Sequence, residues 1–293
     1  MNIQWFPGHM AKTRRLITEN LKLVDIVVEL KDARIPYSST NPILKEVLGN
    51  KPRVIALNKC DMADEATLKQ WIEYYKDRGI TAVPVDSIKG TGIGTLKNEI
   101  KNVLREKTKK EVEKGMKERD PRMMVVGIPN VGKSSFINKL SGRAGTKTGD
   151  RPGVTTTKQW IRISGGYELL DTPGILWPKF EDMEIGMNLA FTGAVKDDIM
   201  DVETLGCHFM VRMATYYPDA LKVGYKLNEI PAREEEENDV AYGYRLLQVC
   251  AQKRGMRISG GEFDTERMAR VLLDEYRGGK LGRFTLEMPE KGE

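Results

Sequence analysis

The sequence predicts an α/β fold, in which a mostly parallel sheet carries helices on both faces, followed by an all-helical region. Short apolar runs rich in β-branched residues alternate with stretches of helical periodicity as far as residue 178. A glycine-rich loop joins one of these predicted strands to a helix. Beyond residue 178 only helical periodicity remains. We therefore expect an α/β domain over residues 1–178 and a helical domain over residues 179–293.

Composition argues against several classes of protein. No apolar stretch is long enough to cross a bilayer, and the N-terminus lacks the charged start and apolar core of a signal peptide. The three cysteines lie far apart and show no C-x-x-C spacing, which argues against a structural zinc site or a disulfide framework. We expect a monomer in the cytoplasm, with no membrane partner.

Charge is distributed unevenly along the chain. Residues 1–180 contain 32 Lys and Arg against 20 Asp and Glu, whereas residues 181–293 contain 15 against 22. A basic half suits a polyanionic ligand such as a nucleotide or RNA. The same excess also fits an ordinary solvated surface, so charge alone does not decide the function.

The predicted elements alternate along the first part of the chain. They are a basic amphipathic helix (10–23), a strand (25–30), a short helix (43–48), a strand (54–57), a helix (64–78), a strand (82–85) and a helix (93–104). A charged segment, 105–122, follows as a solvated helix or a linker. Next come a strand (123–126), a helix (135–140) and a hairpin with strands 159–163 and 167–170. Further helices are predicted over 181–192, 201–215, 239–255 and 264–277.

A phosphate-binding pattern, G-x-x-x-x-G-K-S, spans Gly127–Ser134 in the required setting between a strand and a helix. Backbone N–H groups of such a loop surround a phosphate at the positive end of the helix dipole. Lys133 would neutralise the phosphate oxygens, and Ser134 would offer its hydroxyl to Mg²⁺. The predicted nucleotide contacts here are Asn130, Val131, Gly132, Lys133, Ser134 and Ser135. The alternative is a glycine-rich turn that binds nothing.

The tetrapeptide N-K-x-D, formed by Asn58, Lys59, Cys60 and Asp61, follows the predicted strand 54–57 and indicates which base is bound. The Asp61 carboxylate can accept hydrogen bonds from the ring N–H and the exocyclic amine of guanine together, whereas adenine has no ring N–H to offer there. Asn58 would tie this loop to the phosphate loop, and Lys59 would lie along the base. The alternative is a P-loop ATPase or kinase, in which the N-K-x-D match is accidental.

Three further segments are predicted to complete a site for GTP or GDP. Asp86 and Ser87 lie where a backbone N–H would meet the guanine carbonyl oxygen, although their loop matches the usual S-A-K pattern only loosely. Thr155, with the two threonines that follow it as rivals, would bind Mg²⁺ from a polar loop. Asp171 would reach the metal through water, and the Gly174 amide would bind the γ-phosphate. The alternative for Thr155 is an ordinary loop threonine.

These motifs occur in a permuted order. Ordinary GTPases have the phosphate loop first and N-K-x-D near the end, whereas here N-K-x-D comes first. A circular permutation leaves the sheet unchanged, and the segment 105–122 is the expected new connection. Together with Trp5–Met10 and Asp32–Arg34, this order resembles the YlqF/RbgA family of bacterial ribosome-biogenesis GTPases. The resemblance implies a cytoplasmic GTPase that binds the large ribosomal subunit late in its assembly and contacts rRNA through the helical domain.

The RNA contacts implied by the resemblance are assigned to basic side chains near the N-terminus and in or beside the last two predicted helices. These candidates are Lys12, Arg14, Arg15, Lys253, Arg254, Arg257, Arg267 and Arg270. One alternative is that they form solvated helix faces. Another is a regulatory GTP-binding switch that has no RNA partner.

Hydrolysis is expected to be slow until the ribosomal subunit stimulates it, because Ile175 occupies the position at which Ras-like enzymes place a water-orienting glutamine. His9, flanked by Pro and Gly and with an ordinary pKa of about 6.5, is the catalytic candidate, the alternative being a surface or packing histidine. Asn130 resembles the asparagine that some GTPases use to bind K⁺, so K⁺ is expected to stimulate hydrolysis. Contacts of Gly174 with the γ-phosphate are expected to switch affinity for the ribosome.

Overall fold

A computed structural model describes most of the chain. The described residues are 14–15, 17–40, 42–115, 119–142, 160–163, 165–170, 182–195 and 201–289. Within these ranges, no helix combines the length and the apolar character needed to cross a membrane. Contacts divide the chain into two compact units. The α/β unit contains the described residues up to 170 together with 287–289, and the helical unit is Asp182–Leu286.

The α/β unit is built on a six-stranded sheet. Its strands are β1 (Ile26–Asp32), β2 (Arg53–Asn58), β3 (Thr81–Val85), β4 (Arg122–Gly127), β5 (Trp160–Ile163) and β6 (Tyr167–Leu170). Their order is β3-β2-β1-β4-β6-β5, and every neighbouring pair is parallel except the hairpin of β5 and β6. The central strands are buried almost throughout, as expected for parallel strands covered on both faces. The predicted fold class, a mostly parallel sheet followed by a helical region, is confirmed.

The sheet grows in opposite directions from the pair β1–β4, because β2 and β3 lie on one side and β6 and β5 on the other. The carboxyl ends of the central strands are nearly level. Asp32 is paired with Asn58, Asn58 with Val85, and Leu30 with Gly127. The loops that follow β1, β2, β3 and β4 therefore leave from one edge, at the kind of switch point where α/β proteins bind ligands.

The helices of the α/β unit are α1 (residues 17–21), α2 (Pro42–Val47), α3 (Glu65–Asp77), α4 (Ile93–Glu113) and α5 (Lys133–Ser141). Residues 14 and 15 of the predicted N-terminal helix are also helical, and residues 10–13 and 16 lie outside the described residues. α4 runs beyond the predicted end at residue 104 into the charged segment, so the first part of that segment is helix rather than an extended linker. The Lys and Glu residues of the charged segment favour helix, and the segment contains no Gly or Pro before Gly115.

The helical unit is organised around one central helix. Its helices are α6 (Met183–Phe191), α7 (Val202–Tyr216), α8 (Pro218–Tyr225), α9 (Asp239–Lys253) and α10 (Thr265–Arg277). α7 packs against each of the other four. Gly243 permits a close approach, because a Cβ there would collide with the backbone of Cys207. Helix α8 was not predicted from the sequence, although Pro218 in its first turn is a helix-start signal.

The chain ends within the α/β unit as far as it is described. The carboxylate of Glu287 accepts hydrogen bonds from the N–H groups of Tyr37 and Ser38, at 2.6 and 3.0 Å, and from the Ser38 hydroxyl. Its carbonyl oxygen accepts from Trp71 Nε1, at 3.0 Å. The predicted domains, 1–178 and 179–293, stay a prediction as independent folding units.

Candidate functional site

The loop between β4 and α5 has the backbone conformation of an anion-binding turn. Asn130 and Gly132 adopt positive φ angles of 56° and 92°. α5 begins directly after Gly132, and among the described residues no side chain caps its N-terminus. The first N–H groups of a helix have no acceptor within the helix, and the dipole is positive at that end. This loop therefore presents backbone donors in the arrangement that binds phosphate.

Asn58, the last residue of β2, joins two of the predicted loops. Its Nδ2 donates to the carbonyl of Val131, at 2.7 Å. Its Oδ1 accepts from the N–H and the hydroxyl of Ser87, at 3.2 and 2.6 Å. The side chain is buried, and a Cβ at Gly132 would lie 2.5 Å from its Nδ2. The phosphate loop, the N-K-x-D loop and the loop after β3 thus meet at a single buried amide.

Lys59 links the N-K-x-D loop to the phosphate loop a second time. Its Nζ donates to the carbonyl of Asn130, at 2.9 Å, and lies 3.0 Å from a carboxylate oxygen of Asp32. The Cys60 N–H donates to the carbonyl of Val85, which fixes the loop to the end of β3. Asp61, the predicted base-reading carboxylate, is half-buried at the same edge of the sheet.

Asp86 is directed into its own loop. Its Oδ1 accepts hydrogen bonds from the N–H groups of Ile88 and Lys89, at 2.8 and 2.9 Å. From the sequence, a backbone N–H of this loop is expected to meet the guanine carbonyl oxygen. Because Asp86 already binds the Ile88 N–H, a base would have to share that donor. The Ile88 side chain itself is 75% exposed.

The other predicted nucleotide contacts differ in their accessibility. Ser134, Ser135 and Asn130 are exposed, Lys133 is half-buried, and Val131 is buried and contributes its backbone. Four of the residues predicted for catalysis, nucleotide binding or metal binding lie outside the described residues: His9, Thr155, Asp171 and Gly174. The described part of the site therefore consists of residues at the ends of β1, β2, β3 and β4 and in the loops that follow them.

A buried ion pair at this edge was missed as part of the site, because Asp32–Arg34 entered the sequence analysis only through the family resemblance. Nε and Nη2 of Arg34 donate to the two carboxylate oxygens of Asp32, at 2.9 and 2.8 Å. Burial would raise the pKa of Asp32, but the charges of Arg34 and Lys59 outweigh it and hold that pKa well below its usual range. An Asp and an Arg two residues apart at the end of a buried strand is the signal that could have found the pair.

The predicted RNA-contacting residues of the helical unit are exposed: Lys253, Arg254, Arg257, Arg267 and Arg270. Two of them are held by carboxylates. Arg254 donates two hydrogen bonds to Glu275, at 2.7 and 3.0 Å, and Arg270 donates one to Glu266, at 2.6 Å. Their charge is therefore partly offset within the unit.

The candidates near the N-terminus are also paired where they are described. The guanidinium of Arg14 lies 3.0 Å from the carboxylate of Glu46, and that of Arg15 lies 2.9 Å from Glu19. Lys12 lies outside the described residues. Exposed pairs of this kind contribute little to stability, so both arginines can exchange their partners for an anionic ligand at small cost.

Comparisons with known proteins agree with this geometry. A family model described as 50S ribosome-binding GTPase matches residues 122–215. The Ribosome biogenesis GTPase A of Bacillus cereus is 48% identical over 291 residues, which cover 99% of this chain and 95% of the relative. That of Priestia megaterium is 47% identical over 294 residues, covering 100% and 99%.

A solved structure extends the likeness to the fold. The crystal structure of GNP-bound YlqF from T. maritima matches with a TM-score of 0.66 at 27% sequence identity, covering 96% of this chain and 100% of that one. Both comparisons run through the α/β unit and the helical unit. The chain therefore belongs to the Ribosome biogenesis GTPase A (YlqF/RbgA) family of circularly permuted GTPases.

Proposed function

We propose that this chain is a GTP-hydrolysing assembly factor that acts in the cytoplasm, as a monomer, on the large ribosomal subunit late in its maturation. Bound nucleotide sets its affinity for that subunit. The family supplies the reaction class, and the bridge that Asn58 makes to Val131 and Ser87 is the observation that carries the proposal. This bridge supports a site that reads a base and holds phosphates together, because it fixes the base-reading loop beside the phosphate loop.

In the proposed site, Asp61 reads guanine and the backbone of the phosphate loop binds the phosphates. Mg²⁺ would be held by Ser134 and Thr155, with Asp171 acting through water. The exposed hydroxyl of Ser134 in the first turn of α5 fits this role. The ion, when bound, neutralises charge on the β- and γ-phosphates. Asn130 is exposed beside them and suits a proposed K⁺ contact.

Nucleotide binding is tested by titrating fluorescent GDP and ADP analogues, which differ only in the base, into the purified chain with Mg²⁺. We expect GDP to bind at least about a hundredfold more tightly, since ADP would leave the Asp61 carboxylate without its pair of donors. Equal affinities would contradict a guanine site. Asp61→Ala should remove the preference, while Asp77→Ala, at the end of α3, serves as a carboxylate control.

Hydrolysis is tested by phosphate release with and without large ribosomal subunits. We expect slow turnover alone, stimulation by the subunit and a faster rate in K⁺ than in Na⁺. Equal rates in the two salts would argue against the role of Asn130. His9→Ala should lower the stimulated rate and leave GDP affinity unchanged if His9 orients the attacking water.

Ribosome binding is tested by co-sedimentation with large subunits at two salt concentrations, comparing a non-hydrolysable GTP analogue with GDP. We expect tighter association with the GTP analogue and weaker association at the higher salt concentration, as for a contact with phosphates of rRNA. Indistinguishable affinities for the two nucleotide states would rule out the switch.

A second function, a regulatory GTP-binding switch without an RNA partner, is favoured by one observation. Arg254 and Arg270 are held by Glu275 and Glu266, which offset their charge. Replacing the exposed Lys253 and Arg267 with Glu separates the two functions. The rRNA-binding proposal predicts weaker co-sedimentation for this variant than for Lys222→Glu on α8, whereas the switch predicts no difference.

A further inference from the structure

The carboxylate of Asp32 holds two cations at one buried position. The Asp32 and Arg34 side chains are 2% and 1% exposed, and the guanidinium contacts both carboxylate oxygens. The oxygen that accepts from Arg34 Nη2 also lies 3.0 Å from Lys59 Nζ. Paired, two-point contacts between Arg and a carboxylate fix orientation as well as distance. Arg34 therefore sets the direction in which Asp32 faces Lys59.

The backbone places this carboxylate independently of the side chains. Asp32 pairs with Asn58 at the end of the β1–β2 ladder, and the Ala33 N–H donates to the Asn58 carbonyl, at 2.8 Å. The Asp32 N–H donates to Ser39 Oγ, at 3.1 Å. The end of β1 is thus tied to the residue that immediately precedes Lys59.

Lys59 depends on such an anchor. Its φ of +58° is a left-handed conformation, which costs an L-residue roughly 1–2 kcal/mol. Its side chain is long and carries about 2 kcal/mol of rotamer entropy. Among the described residues, the ammonium donates to the carbonyl of Asn130 and pairs with the carboxylate of Asp32. The charged contact decides how the methylene chain runs between β2 and the phosphate loop.

We propose that Asp32 is a positioning residue of the nucleotide site. It holds the ammonium of Lys59 on the carbonyl of Asn130, so that the Lys59 methylene chain forms a preset surface for the base and the Asn130 peptide stays beside the phosphates. Asp32 acts only through Lys59 and does not touch the nucleotide. The inference rests on the proposed guanine-nucleotide site, and it adds a residue that the N-K-x-D and phosphate-loop motifs do not contain.

The first experiment compares fluorescent GDP binding to wild type, Asp32→Asn, Lys59→Met and the double variant. We expect Asp32→Asn to raise Kd about tenfold, because an immobilised long side chain regains its freedom. In the Lys59→Met background the same change should have no further effect, which a merely structural role would not produce. The preference for GDP over ADP should persist in Asp32→Asn, since Asp61 still reads the base.

A control is available at the other end of the same strand. Asp25, just before β1 at its opposite end, is likewise buried and receives two hydrogen bonds from Arg119, at 2.8 and 2.9 Å. Asp25→Asn therefore removes an Asp–Arg pair whose arginine is 46% exposed, at the end of β1 opposite the loops. It should lower the unfolding temperature and leave Kd for GDP within about twofold, the usual effect of a site without shared contacts.

A second variant keeps the test decisive if Asp32→Asn does not fold, since it leaves Arg34 buried without its carboxylate. Asp32→Asn with Arg34→Met removes that cation while Lys59 still lacks its anchor, and it should show the same rise in Kd. The inference is overturned if either Asp32 variant folds and binds GDP as wild type does, if Asp25→Asn weakens binding equally, or if the effects of Asp32→Asn and Lys59→Met add in the double variant. Wild type that binds no guanine nucleotide would overturn the proposed function and the inference together.

Discussion

The cores of the two units differ in the polar side chains that they bury. Among the described residues, the α/β unit buries six charged side chains: Asp25, Glu29, Lys31, Asp32, Arg34 and Asp86. The buried polar side chains described in the helical unit are all neutral: Asn188, Thr192, Thr265 and Thr285. Burying a charge is costly unless it is paired and hydrogen-bonded. The α/β unit therefore depends on specific partners, whereas the helical unit depends on close packing.

Lys31 illustrates what such partners do inside the α/β unit. Its Nζ donates to Thr40 Oγ1 and to the Tyr75 hydroxyl, at 2.7 and 3.0 Å, and lies 3.6 Å from Glu29. Burial lowers the pKa of Lys31, although Glu29 opposes that shift. Such groups fix the positions of particular atoms. We expect substitutions at the carboxyl edge of the sheet to change ligand binding, and those in the helical core to change stability alone.

The largest expected effect is at Gly132, where the phosphate loop meets Asn58. In Gly132→Ala, strain at a φ of 92° costs about 1–2 kcal/mol, and the new methyl group displaces the Asn58 amide, which costs about 1 kcal/mol more. Affinity for GDP should fall about 30- to 150-fold, since 1.4 kcal/mol corresponds to a factor of ten. Fluorescence titration measures it.

Gly79→Ala is the control for this prediction. Gly79 also has a positive φ, 68°, but a Cβ there meets nothing within 4 Å. It should lose stability through backbone strain while its GDP affinity stays unchanged. If both variants lost affinity equally, backbone strain alone would explain the effect and the contact with Asn58 would have no separate role.

The sheet could be predicted from sequence because each strand is a short apolar run with its own local signature. The Asn58 junction could be anticipated because N-K-x-D and the phosphate loop are each a motif with a known spacing of its own residues. Asp32 could not be assigned in this way, since its contact with Lys59 exists only after the ends of two strands meet. The inward turn of Asp86 depends on loop geometry that its four-residue pattern does not encode.

The end of the chain was beyond prediction for a similar reason. Glu287 belongs to a short segment without periodicity, so nothing in the sequence separates it from the helices before it. Its partners, Tyr37, Ser38 and Trp71, lie more than two hundred residues earlier in the chain. Helix α8 is different, because Pro218 gave a local signal that was overlooked.

Gly243 tests whether the helical unit depends on close packing. In Gly243→Ala the methyl group would meet the backbone of Cys207, so α9 must move away from α7. Overpacking of this kind costs about 3 kcal/mol. Hydrogen exchange should increase in peptides from α7 and α9, while GDP affinity stays unchanged. Gly224→Ala in α8, which meets only the flexible end of Leu281, is the control and should be nearly neutral.

Substitution of Glu287 tests which unit the segment 287–289 stabilises. Glu287→Gln turns an amide donor toward the N–H groups of Tyr37 and Ser38, and the loss of a charged acceptor should cost about 1.5 kcal/mol. All four tryptophans precede residue 178, so tryptophan emission follows the first part of the chain. The unfolding midpoint seen by this emission should fall, with exchange in α7 and α9 unchanged. A fall confined to α7 and α9 would place Glu287 with the helical unit.

The smallest expected change in stability is at Asp201, an exposed charged residue of the helical unit. Hydrogen bonds from Thr204 to Asp201, the N-cap of α7, lower the pKa of Asp201. Its stabilisation is thus complete above the ordinary carboxyl pKa of about 4 and is lost as pH falls through the lowered value. Asp201→Ala should cost about 1 kcal/mol at neutral pH and progressively less in acid. Chemical unfolding at pH 7 and pH 3 measures the difference, and a cost independent of pH would mean that the cap does not depend on its charge.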